Sequence, residues 1–455
     1  MSRMHFVVIG GGPGGIAAAT HAARFGVSVT LIERDVIGGA AHLWDCIPSK
    51  AMIATGGAIA FLARSEGMGL NTVEAAIDTN NLSERLASIT SHLESNISDL
   101  LSSQNVRVIQ GTGTLISPKT VRVTTADGVE EDIHADTILL STGSRPRVPD
   151  WCSPDGDRIL TTRQAYPPPE IPEHLTVIGS GVTGVEFVHM FTSLGSKVSL
   201  IVSRQHVLPD KDPEVAYELE QNFIDRGVKL LKGARSTAIE RTSEGVVVKC
   251  DDGRMVESSH ALLAIGSVPN SDSLGLESAG IESEWGYVPI NDFGQSNVHH
   301  IYVAGDLSGK LPLSSVSTMQ GRKIVEHMMG VQQHDAHRHI SYNHAASAIF
   351  TEPEIADVGL SQIEAFAEGR KVRVTKVPFS SAAKALINDD TRGFVKLISD
   401  PATGVILGGS IVGRHAAELI SIIALCVTNR LTVADLRETL FVHPTLSETL
   451  ADAAE

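Results

Sequence analysis

The sequence has little cysteine for its length. Four cysteines in 455 residues, Cys46, Cys152, Cys250 and Cys426, lie far apart along the chain. They do not form the even, closely spaced framework of a disulfide-rich secreted domain. This distribution excludes a small disulfide-stabilised fold and fits a protein of the reducing cytoplasm.

Positive charge and long apolar runs are also scarce. Lysine and arginine number 37 against 53 aspartates and glutamates, which gives a formal net charge of −16. Such an acidic chain is a poor partner for nucleic acid or for an anionic membrane surface. No apolar run reaches the roughly 18 residues of a membrane span, and the amino terminus leads into a strand without the layout of a signal peptide. We therefore expect a globular protein with neither kind of partner and no integral membrane association.

The amino-terminal segment HFVVIGGGPGGIAAATHAARFG predicts a dinucleotide site. A short apolar strand leads to Gly10, Gly12 and Gly15 in the spacing G-x-G-x-x-G, and an alanine-rich helix follows. The first glycine permits a tight turn, the second lets the backbone approach a pyrophosphate, and the third lets the helix pack close to the strand. The next strand, VSVTLIE, ends in Glu33, which lies at the right distance to bind a ribose hydroxyl.

The same pattern returns in HLTVIGSGVTGVEFVHMFTSLGSKVSLIVSR. Gly179, Gly181 and Gly184 repeat the spacing between a strand and a helix, so we expect a second, different dinucleotide. This second unit contains no acid where the first contains Glu33. Glu33 lies 23 residues after the first glycine of its motif (33 − 10), and the same offset from Gly179 gives residue 202, a valine (179 + 23).

Two polar residues, Ser203 and Arg204, follow Val202. Without a carboxylate at this position a 2′-phosphate is not repelled, and Arg204 can pair with it. The pattern favours NADPH over NADH; the alternative is that Arg204 is only a solvated loop charge.

Six further segments appear in order along nearly the whole chain, and with the two glycine motifs they resemble the FAD-dependent pyridine nucleotide-disulfide oxidoreductases. That family includes dihydrolipoamide dehydrogenase and glutathione reductase. The segments are CIPSK (46–50), STGSRPRVP (141–149), AIGSVPN (264–270), IYVAGD (301–306), IFTEPEIADVGLS (349–361) and HPTLSE (443–448).

The resemblance implies an α/β protein with two Rossmann-like dinucleotide-binding domains and a C-terminal α+β dimerisation domain. It implies an FAD domain over residues 1–148, an NAD(P) domain over 149–269, a central segment over 270–338 that completes the FAD site, and a dimerisation domain over 339–455. A cytoplasmic homodimer without a metal site is expected.

The segment GGAAHLWDCIPSK departs from the family at one position. Family members usually read G-G-T-C-x-x-x-x-C-I-P-S-K, and Ala41 stands where the first cysteine is expected, whereas Cys46 matches the second. In the family the first sulfur attacks a disulfide substrate and the second lies against the flavin. Disulfide reduction needs a dithiol relay, so its loss predicts another electron acceptor. The chain resembles an actinobacterial subgroup that carries Ala-Ala where Thr-Cys is expected and is known for quinone reductase activity.

The resemblance also assigns roles to particular residues. Lys50 and Glu186 match the family's ion pair beneath the reactive edge of the isoalloxazine, and His443 and Glu448 match its acid–base pair. In the family the histidine reaches across the dimer. We leave open whether the second pair donates a proton to another acceptor or only supports the interface. Asp306 matches the aspartate that binds the ribityl chain.

The candidate catalytic residues are therefore Lys50, Glu186, His443, Glu448 and Cys46. The candidate cofactor-binding residues are Gly10, Gly12, Pro13, Gly14, Gly15, Glu33, Arg34, Gly39, Lys50, Gly113, Thr142, Gly143, Gly179, Gly181, Gly184, Glu186, Ser203, Arg204, Gly266 and Asp306.

Trp44 offers an aromatic wall for a planar acceptor or fills space in the core. Two further residues depart from the family: Ser267 stands where arginine is frequent, and Gln320 where glutamate is frequent.

The leading hypothesis is an FAD-dependent dehydrogenase that takes hydride from NADPH, with NADH as a possible donor, and reduces a quinone or similar small acceptor. Three alternatives remain at this point. One is a disulfide reductase such as dihydrolipoamide dehydrogenase with an unexpected second thiol. Another is a peroxidase that cycles Cys46 through sulfenic acid. The last is a non-catalytic flavoprotein that serves as a dimeric binding partner.

Overall fold

The computed structural model describes residues 4–71, 75–168, 170–331 and 339–455, except for the side chains of residues 41, 42, 63, 64 and 66. Its strands are β1 His5–Ile9, β2 Ser28–Glu33, β3 Arg107–Gln110, β4 Thr112–Ser117, β5 Thr120–Thr124, β6 Glu130–His134, β7 Thr137–Leu140, β8 Ser144–Pro146, β9 Ile159–Thr161, β10 His174–Ile178, β11 Lys197–Val202, β12 Lys229–Lys232, β13 Ser236–Arg241, β14 Val246–Cys250, β15 Met255–Ser258, β16 His260–Leu263, β17 Ser267–Pro269, β18 Ile301–Val303, β19 Ser347–Ile349, β20 Ile355–Gly359, β21 Arg373–Pro378, β22 Phe394–Ser399 and β23 Ile406–Val412.

The helices are α1 Pro13–Arg24, α2 Ile47–Arg64, α3 Thr79–Ser103, α4 Val182–Ser193, α5 Pro213–Asp225, α6 Ser314–Met328, α7 Gln362–Ala367, α8 Ala383–Ile387, α9 Ala416–Asn429, α10 Val433–Arg437 and α11 Glu448–Asp452. A π-helix, Ala41–Cys46, immediately precedes α2. Among the described residues, no helix is long and apolar enough to cross a membrane.

The chain divides into two compact units of three segments each. The first unit contains Met1–Ser49, Asn80–Pro146 and Ser267–Tyr342, and the second contains Lys50–Thr79, Arg147–Gly266 and Asn343–Glu455.

A parallel sheet with the strand order β18-β7-β1-β2-β3 forms the centre of the first unit. Its central strands are almost entirely buried because helices cover a parallel sheet on its faces. Helices α1 and α6 pack closely, since a Cβ built at Gly321 would lie 2.2 Å from the Gly14 carbonyl oxygen. The antiparallel sheet β4-β5-β6 and the pair β8–β17 complete the unit.

The second unit contains a parallel sheet of the same kind, with the order β12-β11-β10-β16-β9. The antiparallel sheet β13-β14-β15 accompanies it. The C-terminal part of the unit is an antiparallel sheet, β19-β20-β23-β22-β21, on which α9 packs through β20 and β23. Apolar side chains of α9 and β23, among them Ile411, Ile420 and Ile423, form the core of this part.

The predicted fold class is confirmed: two similar dinucleotide folds are accompanied by a C-terminal α+β part. The predicted four-segment domain boundaries stay a prediction, and the boundary at residue 338 lies outside the described residues.

Candidate active site

The first glycine turn joins β1 to α1, and its geometry requires glycine at two positions. Gly10 has φ +108°, and a Cβ there would lie 2.2 Å from the Ser141 carbonyl oxygen. A Cβ at Gly15 would lie 2.0 Å from the Gly10 carbonyl oxygen. Gly12 instead caps α1 without a side-chain hydrogen bond, and Pro13 is the first helical residue. The first-turn N–H groups of α1 are therefore not capped by a side chain at Gly12, the arrangement that suits a phosphate.

Glu33 is the last residue of β2 and is only 9% exposed. Its carboxylate accepts the Gly11 N–H at 2.7 Å and the Asp35 N–H at 2.8 Å. These contacts fix the carboxylate beside the glycine turn, where a ribose hydroxyl is expected. Arg34, by contrast, is exposed, and its Nε pairs with Asp35 at 3.1 Å.

Three other glycines assigned to the cofactor pack against protein in the structure. A Cβ at Gly39 would lie 2.5 Å from the Gly12 Cα, so Gly39 supports the glycine turn. A Cβ at Gly14 would lie 2.5 Å from Ser317 Oγ on α6. A Cβ at Gly113 would lie 3.1 Å from the Ile9 side chain.

The segments after β7 and β17 are held together by hydrogen bonds within the first unit. Thr142 Oγ1 donates to the Asn270 carbonyl at 2.7 Å, and the Asn270 N–H donates to the Gly143 carbonyl at 3.0 Å. Ser144 Oγ donates to Asp306 Oδ2 at 2.5 Å. The structure thereby brings Thr142, Gly143 and Asp306 together, three of the predicted cofactor-binding residues.

Gln320, 3% exposed, supports the Asp306 turn. Its Oε1 accepts the Gly305 N–H at 2.7 Å, and its Nε2 donates to Tyr342 Oη at 3.0 Å. The donation to Tyr342 explains how an amide is accommodated where the family often has a carboxylate.

The first unit fits an FAD molecule. The N-terminus of α1 has space for a ligand: a Cβ built on Gly12 would have one described neighbour within 4 Å, the Gly39 Cα at 3.9 Å. The unit also offers a buried acid beside that turn and a positioned aspartate. Because a Cβ at Gly12 would face almost open space, a ligand and not protein can occupy that cradle.

The backbone dihedral angles of the second glycine turn are nearly the same as those of the first. Gly179 has φ +108°, and a Cβ at Gly184 would lie 1.8 Å from its carbonyl oxygen. Gly181 has φ −76° and ψ −173°, against −79° and −175° for Gly12. A Cβ at Gly181 would meet no described atom within 4 Å, and the same holds for Gly266 after β16. This turn therefore also fits a pyrophosphate.

The next strand along the chain ends without an acid. Val202 is the last residue of β11 and is fully buried, and Ser203 and Arg204 after it are exposed. Val202 lies opposite Lys232 in the sheet. Lys232 Nζ pairs with the buried Glu220 carboxylate at 2.5 Å.

Glu220 also accepts the Val207 N–H at 2.9 Å. This carboxylate therefore fixes the loop that carries Arg204. Sequence reasoning missed Glu220 and Lys232 because neither belongs to a motif.

Lys50 at the start of α2 and Glu186 in α4 form the predicted ion pair. Lys50 Nζ lies 2.6 Å from Glu186 Oε2, with the two side chains 26% and 11% exposed. The other carboxylate oxygen, Oε1, accepts the N–H of Phe350 at 2.9 Å. The second unit thus holds a cation that is partly desolvated and positioned by a buried acid.

Close approach of α2 to α4 makes this pair possible. Two turns beyond Lys50, a Cβ at Gly56 would lie 2.7 Å from the Ser193 Cβ. Ser193 Oγ accepts from Arg226 at 2.8 Å. Sequence reasoning missed Gly56; the pair of glycines in ATGGAIA is the only signal for it.

His189 lies on the buried side of α4 and is 2% exposed. Its Nδ1 accepts from Arg226 at 3.0 Å. Burial first, and then the neighbouring charges of Arg226 and Arg392, lower its pKa to about 3. His189 is therefore neutral at neutral pH.

Cys46 ends the π-helix and is half-buried, and none of the four cysteines forms a disulfide. Cys152, Cys250 and Cys426 are buried in apolar cores, and desolvation raises the pKa of each thiol. Thiols with raised pKa values are poor nucleophiles.

The π-helix spans the segment in which Ala41 stands where the family motif has its first cysteine. The side chains of Ala41 and His42 lie outside the described residues. Trp44 is 40% exposed, so in this chain it does not fill the core.

His443 and Glu448 form the second predicted pair. His443 Nδ1 lies 2.8 Å from Glu448 Oε1, and the Thr445 N–H donates to Glu448 Oε2 at 2.8 Å. The Thr445 N–H first, and then His443, lower the pKa of the Glu448 carboxyl. The glutamate thus orients the imidazole, which is 73% exposed. Among the described residues, no three His, Cys, Asp or Glu side chains are grouped as metal ligands.

Comparison with known families gives two matches. The family described as "Pyridine nucleotide-disulphide oxidoreductase" matches residues 4–321, and its dimerisation domain matches residues 345–454.

Curated relatives and solved structures agree with these matches. The NAD(P)H dehydrogenase (quinone) of Mycobacterium tuberculosis strain H37Rv is 41% identical over 98% of this chain and 92% of its own. The dihydrolipoyl dehydrogenase of Zymomonas mobilis is 32% identical over 99% and 97%. The crystal structure of LpdA from Mycobacterium tuberculosis has a TM-score of 0.94 at 41% identity, with 99% of both chains covered. The HOCl-induced flavoprotein disulfide reductase RclA of Escherichia coli has a TM-score of 0.87 at 26% identity, also with 99% of both covered.

Proposed function

The chain belongs to the pyridine nucleotide-disulphide oxidoreductase family, an oxidoreductase family that uses FAD and NAD(P)H, and on that premise we propose that it is a NADPH dehydrogenase that reduces a quinone. The proposal is that electrons pass from NADPH to FAD and then directly to the acceptor, without a cysteine relay. The 41% identity to a relative named NAD(P)H dehydrogenase (quinone) supports it.

The proposal rests on the number and the burial of the cysteine thiols. A dithiol relay needs two thiols that can form a disulfide with each other. Cys46 is half-buried at the end of the π-helix, whereas the other three cysteines are buried in apolar cores and have raised thiol pKa values. The partner position, residue 41, is alanine. Reduction of an external disulfide by a dithiol relay is therefore not expected.

The residues expected to serve the cofactors are all present. When bound, FAD supplies a two-electron acceptor and donor, and NADPH supplies the hydride. Gly12 and the N-terminus of α1 would hold the FAD pyrophosphate, Glu33 its ribose and Asp306 its ribityl chain. Lys50, oriented by Glu186, would stabilise the negative charge that two-electron reduction places on the flavin ring.

Preference for NADPH rests on the end of β11. The buried Val202 offers no carboxylate to a ribose hydroxyl, and the exposed Arg204 offers a guanidinium to a 2′-phosphate. Glu220 fixes the loop between β11 and α5 through the Val207 N–H, so Arg204 stands on a positioned segment.

The active unit in this proposal is a homodimer. The matched dimerisation domain supports it, and so do Leu440 and Val442, which are 97% and 74% exposed beside His443. A second copy would cover these apolar side chains. His443 would then donate a proton to the acceptor, and the exposed Trp44 would offer a stacking face.

Steady-state assays with NADPH and either a quinone or lipoamide test the function. The parent protein should reduce the quinone and leave lipoamide essentially unreduced. Cys46→Ser should retain most of the quinone turnover, because the sulfur lies outside the electron path, while the flavin spectrum changes. If the parent protein reduced lipoamide as fast as the quinone, the proposal would be overturned. If Cys46→Ser then abolished this lipoamide reduction, the protein would be a disulfide reductase.

A further inference from the structure

One residue contacts both members of the Lys50–Glu186 pair. The backbone N–H of Phe350 donates to Glu186 Oε1 at 2.9 Å. The ring of the same residue lies below Lys50, with Nζ 4.9 Å from the ring centroid, within the range of a cation–π contact. The carboxylate and the ammonium are thus held by the backbone and the side chain of a single residue.

The backbone around Phe350 is itself fixed. Phe350 directly follows β19, and the Thr351 N–H donates back to the Ile349 carbonyl at 3.0 Å in a tight turn. Thr351 is 3% exposed, and its Oγ1 donates to the Pro353 carbonyl at 2.6 Å. The direction of the Phe350 N–H is therefore set by the C-terminal sheet and by the buried threonine.

A lysine needs such a constraint because its charge stands on a flexible four-carbon chain. The ion pair with Glu186 Oε2 fixes the distance of the ammonium from that oxygen, but one distance does not fix its direction. The N–H on Oε1 stops rotation of the carboxylate, and the ring limits where Nζ can lie.

We propose that Phe350 is a positioning residue for the Lys50–Glu186 pair, and that its ring keeps the Lys50 charge in place to stabilise the reduced flavin. This inference rests on the proposed use of FAD next to the pair. It does not depend on which acceptor the protein reduces.

The test measures the midpoint reduction potential of the bound flavin by spectroelectrochemistry in the intact protein. The substitutions are Phe350→Leu, which removes the ring but keeps the N–H, and Phe350→Tyr, which keeps both. Phe350→Leu should lower the potential and slow flavin reduction by NADPH by about two- to fivefold, the size of a modest cation–π contact. Phe350→Tyr should keep the flavin reduction potential of the parent protein. If the leucine variant does not fold, Phe350→Met makes the same comparison.

Two controls separate positioning from packing. Lys376 Nζ lies 4.2 Å from the ring centroid of Phe394 in the same C-terminal part, so Phe394→Leu removes an equivalent contact away from the pair and should leave the potential unchanged. In a Lys50→Met background, Phe350→Leu should cause no further shift, because the charge that the ring positions is gone.

The inference is overturned if Phe350→Leu leaves the potential unchanged, or if it shifts the potential equally with and without Lys50. Failure of the proposed function would be distinguishable, since it would appear in the parent protein as absent FAD or as absent quinone turnover.

Discussion

The two glycine turns have nearly identical backbones and differ in the side chains that surround them. Gly10 and Gly179 share φ +108°, and Gly12 and Gly181 agree within a few degrees. In both, a Cβ on the third glycine would overlap the carbonyl oxygen of the first, at 2.0 Å and 1.8 Å. Such a backbone suits a pyrophosphate, but it does not distinguish one dinucleotide from another.

Side chains placed on this common backbone make the two sites different. The second strand ends in Glu33 in one and in Val202 in the other. Seven residues after the first glycine, the first helix has Ala17 (17 − 10) and the second has Glu186 (186 − 179), which holds Lys50. From this comparison we expect the turn to define the ligand class and the end of the strand to define which dinucleotide binds. We expect the helix to add charge for the chemistry.

The largest effects should come from the third glycine of each turn. Gly15→Ala should abolish FAD retention, whereas Gly184→Ala should leave a yellow protein that NADPH no longer reduces, because each new Cβ collides with a backbone oxygen of its own turn. Absorbance of the purified proteins and anaerobic titration with NADPH measure both.

Gly181→Ala provides the matched control. Its Cβ would meet no described atom within 4 Å, so the parent melting temperature should be kept while NADPH binding weakens. Loss of FAD in Gly184→Ala, or full NADPH binding in Gly181→Ala, would contradict the assignment of one dinucleotide to each turn.

Removing the charge of Lys50, which Glu186 of α4 positions, should have the next largest effect. Lys50→Met should slow flavin reduction by roughly a hundredfold, as loss of one preorganised electrostatic group typically does. Stopped-flow reduction with NADPH measures this rate. Lys50→Arg keeps the charge and should recover part of it, and a rate unaffected in Lys50→Met would remove the pair from the chemistry.

Replacing the residues at and just after the end of β11 should change the preference between NADPH and NADH by a smaller factor. Val202→Glu with Arg204→Leu should shift preference from NADPH toward NADH by roughly tenfold or more, the usual size of one charge-assisted contact. The ratio of kcat/KM for the two donors measures it. Equal kinetics with both donors in the parent protein would contradict the assignment of Arg204.

Helix packing behind the pair should show the smallest effect. Gly56→Ala places a Cβ 2.7 Å from the Ser193 Cβ and should destabilise the protein by about 1–3 kcal/mol through overpacking. Gly57→Ala meets no described atom within 4 Å and should be neutral or stabilising, because alanine is the better helix former. Thermal denaturation of the two variants compares neighbouring glycines in one helix, and equal melting temperatures would be evidence against a tight contact of α2 with α4.

Local patterns predicted much of this site. The offset from the first glycine correctly aligned Val202 with Glu33, since each residue ends its strand. Motif resemblance also paired Lys50 with Glu186, and the structure places the two at 2.6 Å. These successes share a cause: a strand-turn-helix unit has fixed dimensions, so spacing in sequence translates into position.

Contacts between distant segments were beyond such reasoning. Phe350 lies 164 residues after Glu186, and only the packing of the C-terminal sheet brings its N–H to that carboxylate. Gly14 is among the predicted cofactor-binding residues, and its missing side chain also makes room for Ser317 of α6. A glycine looks the same in sequence whether it faces a ligand or a helix.

The buried His189 sets a limit on acid resistance. An unfolded histidine takes up a proton below its ordinary pKa near 6.5, whereas this one stays neutral until about pH 3. Between those values the unfolded chain binds the extra proton, so native stability falls as the pH drops from 6.5 toward 3. A residue of the helix that carries Glu186 therefore adds to acid denaturation, although it is not a member of the Lys50–Glu186 ion pair. A neutral replacement such as His189→Gln would flatten that part of the stability curve.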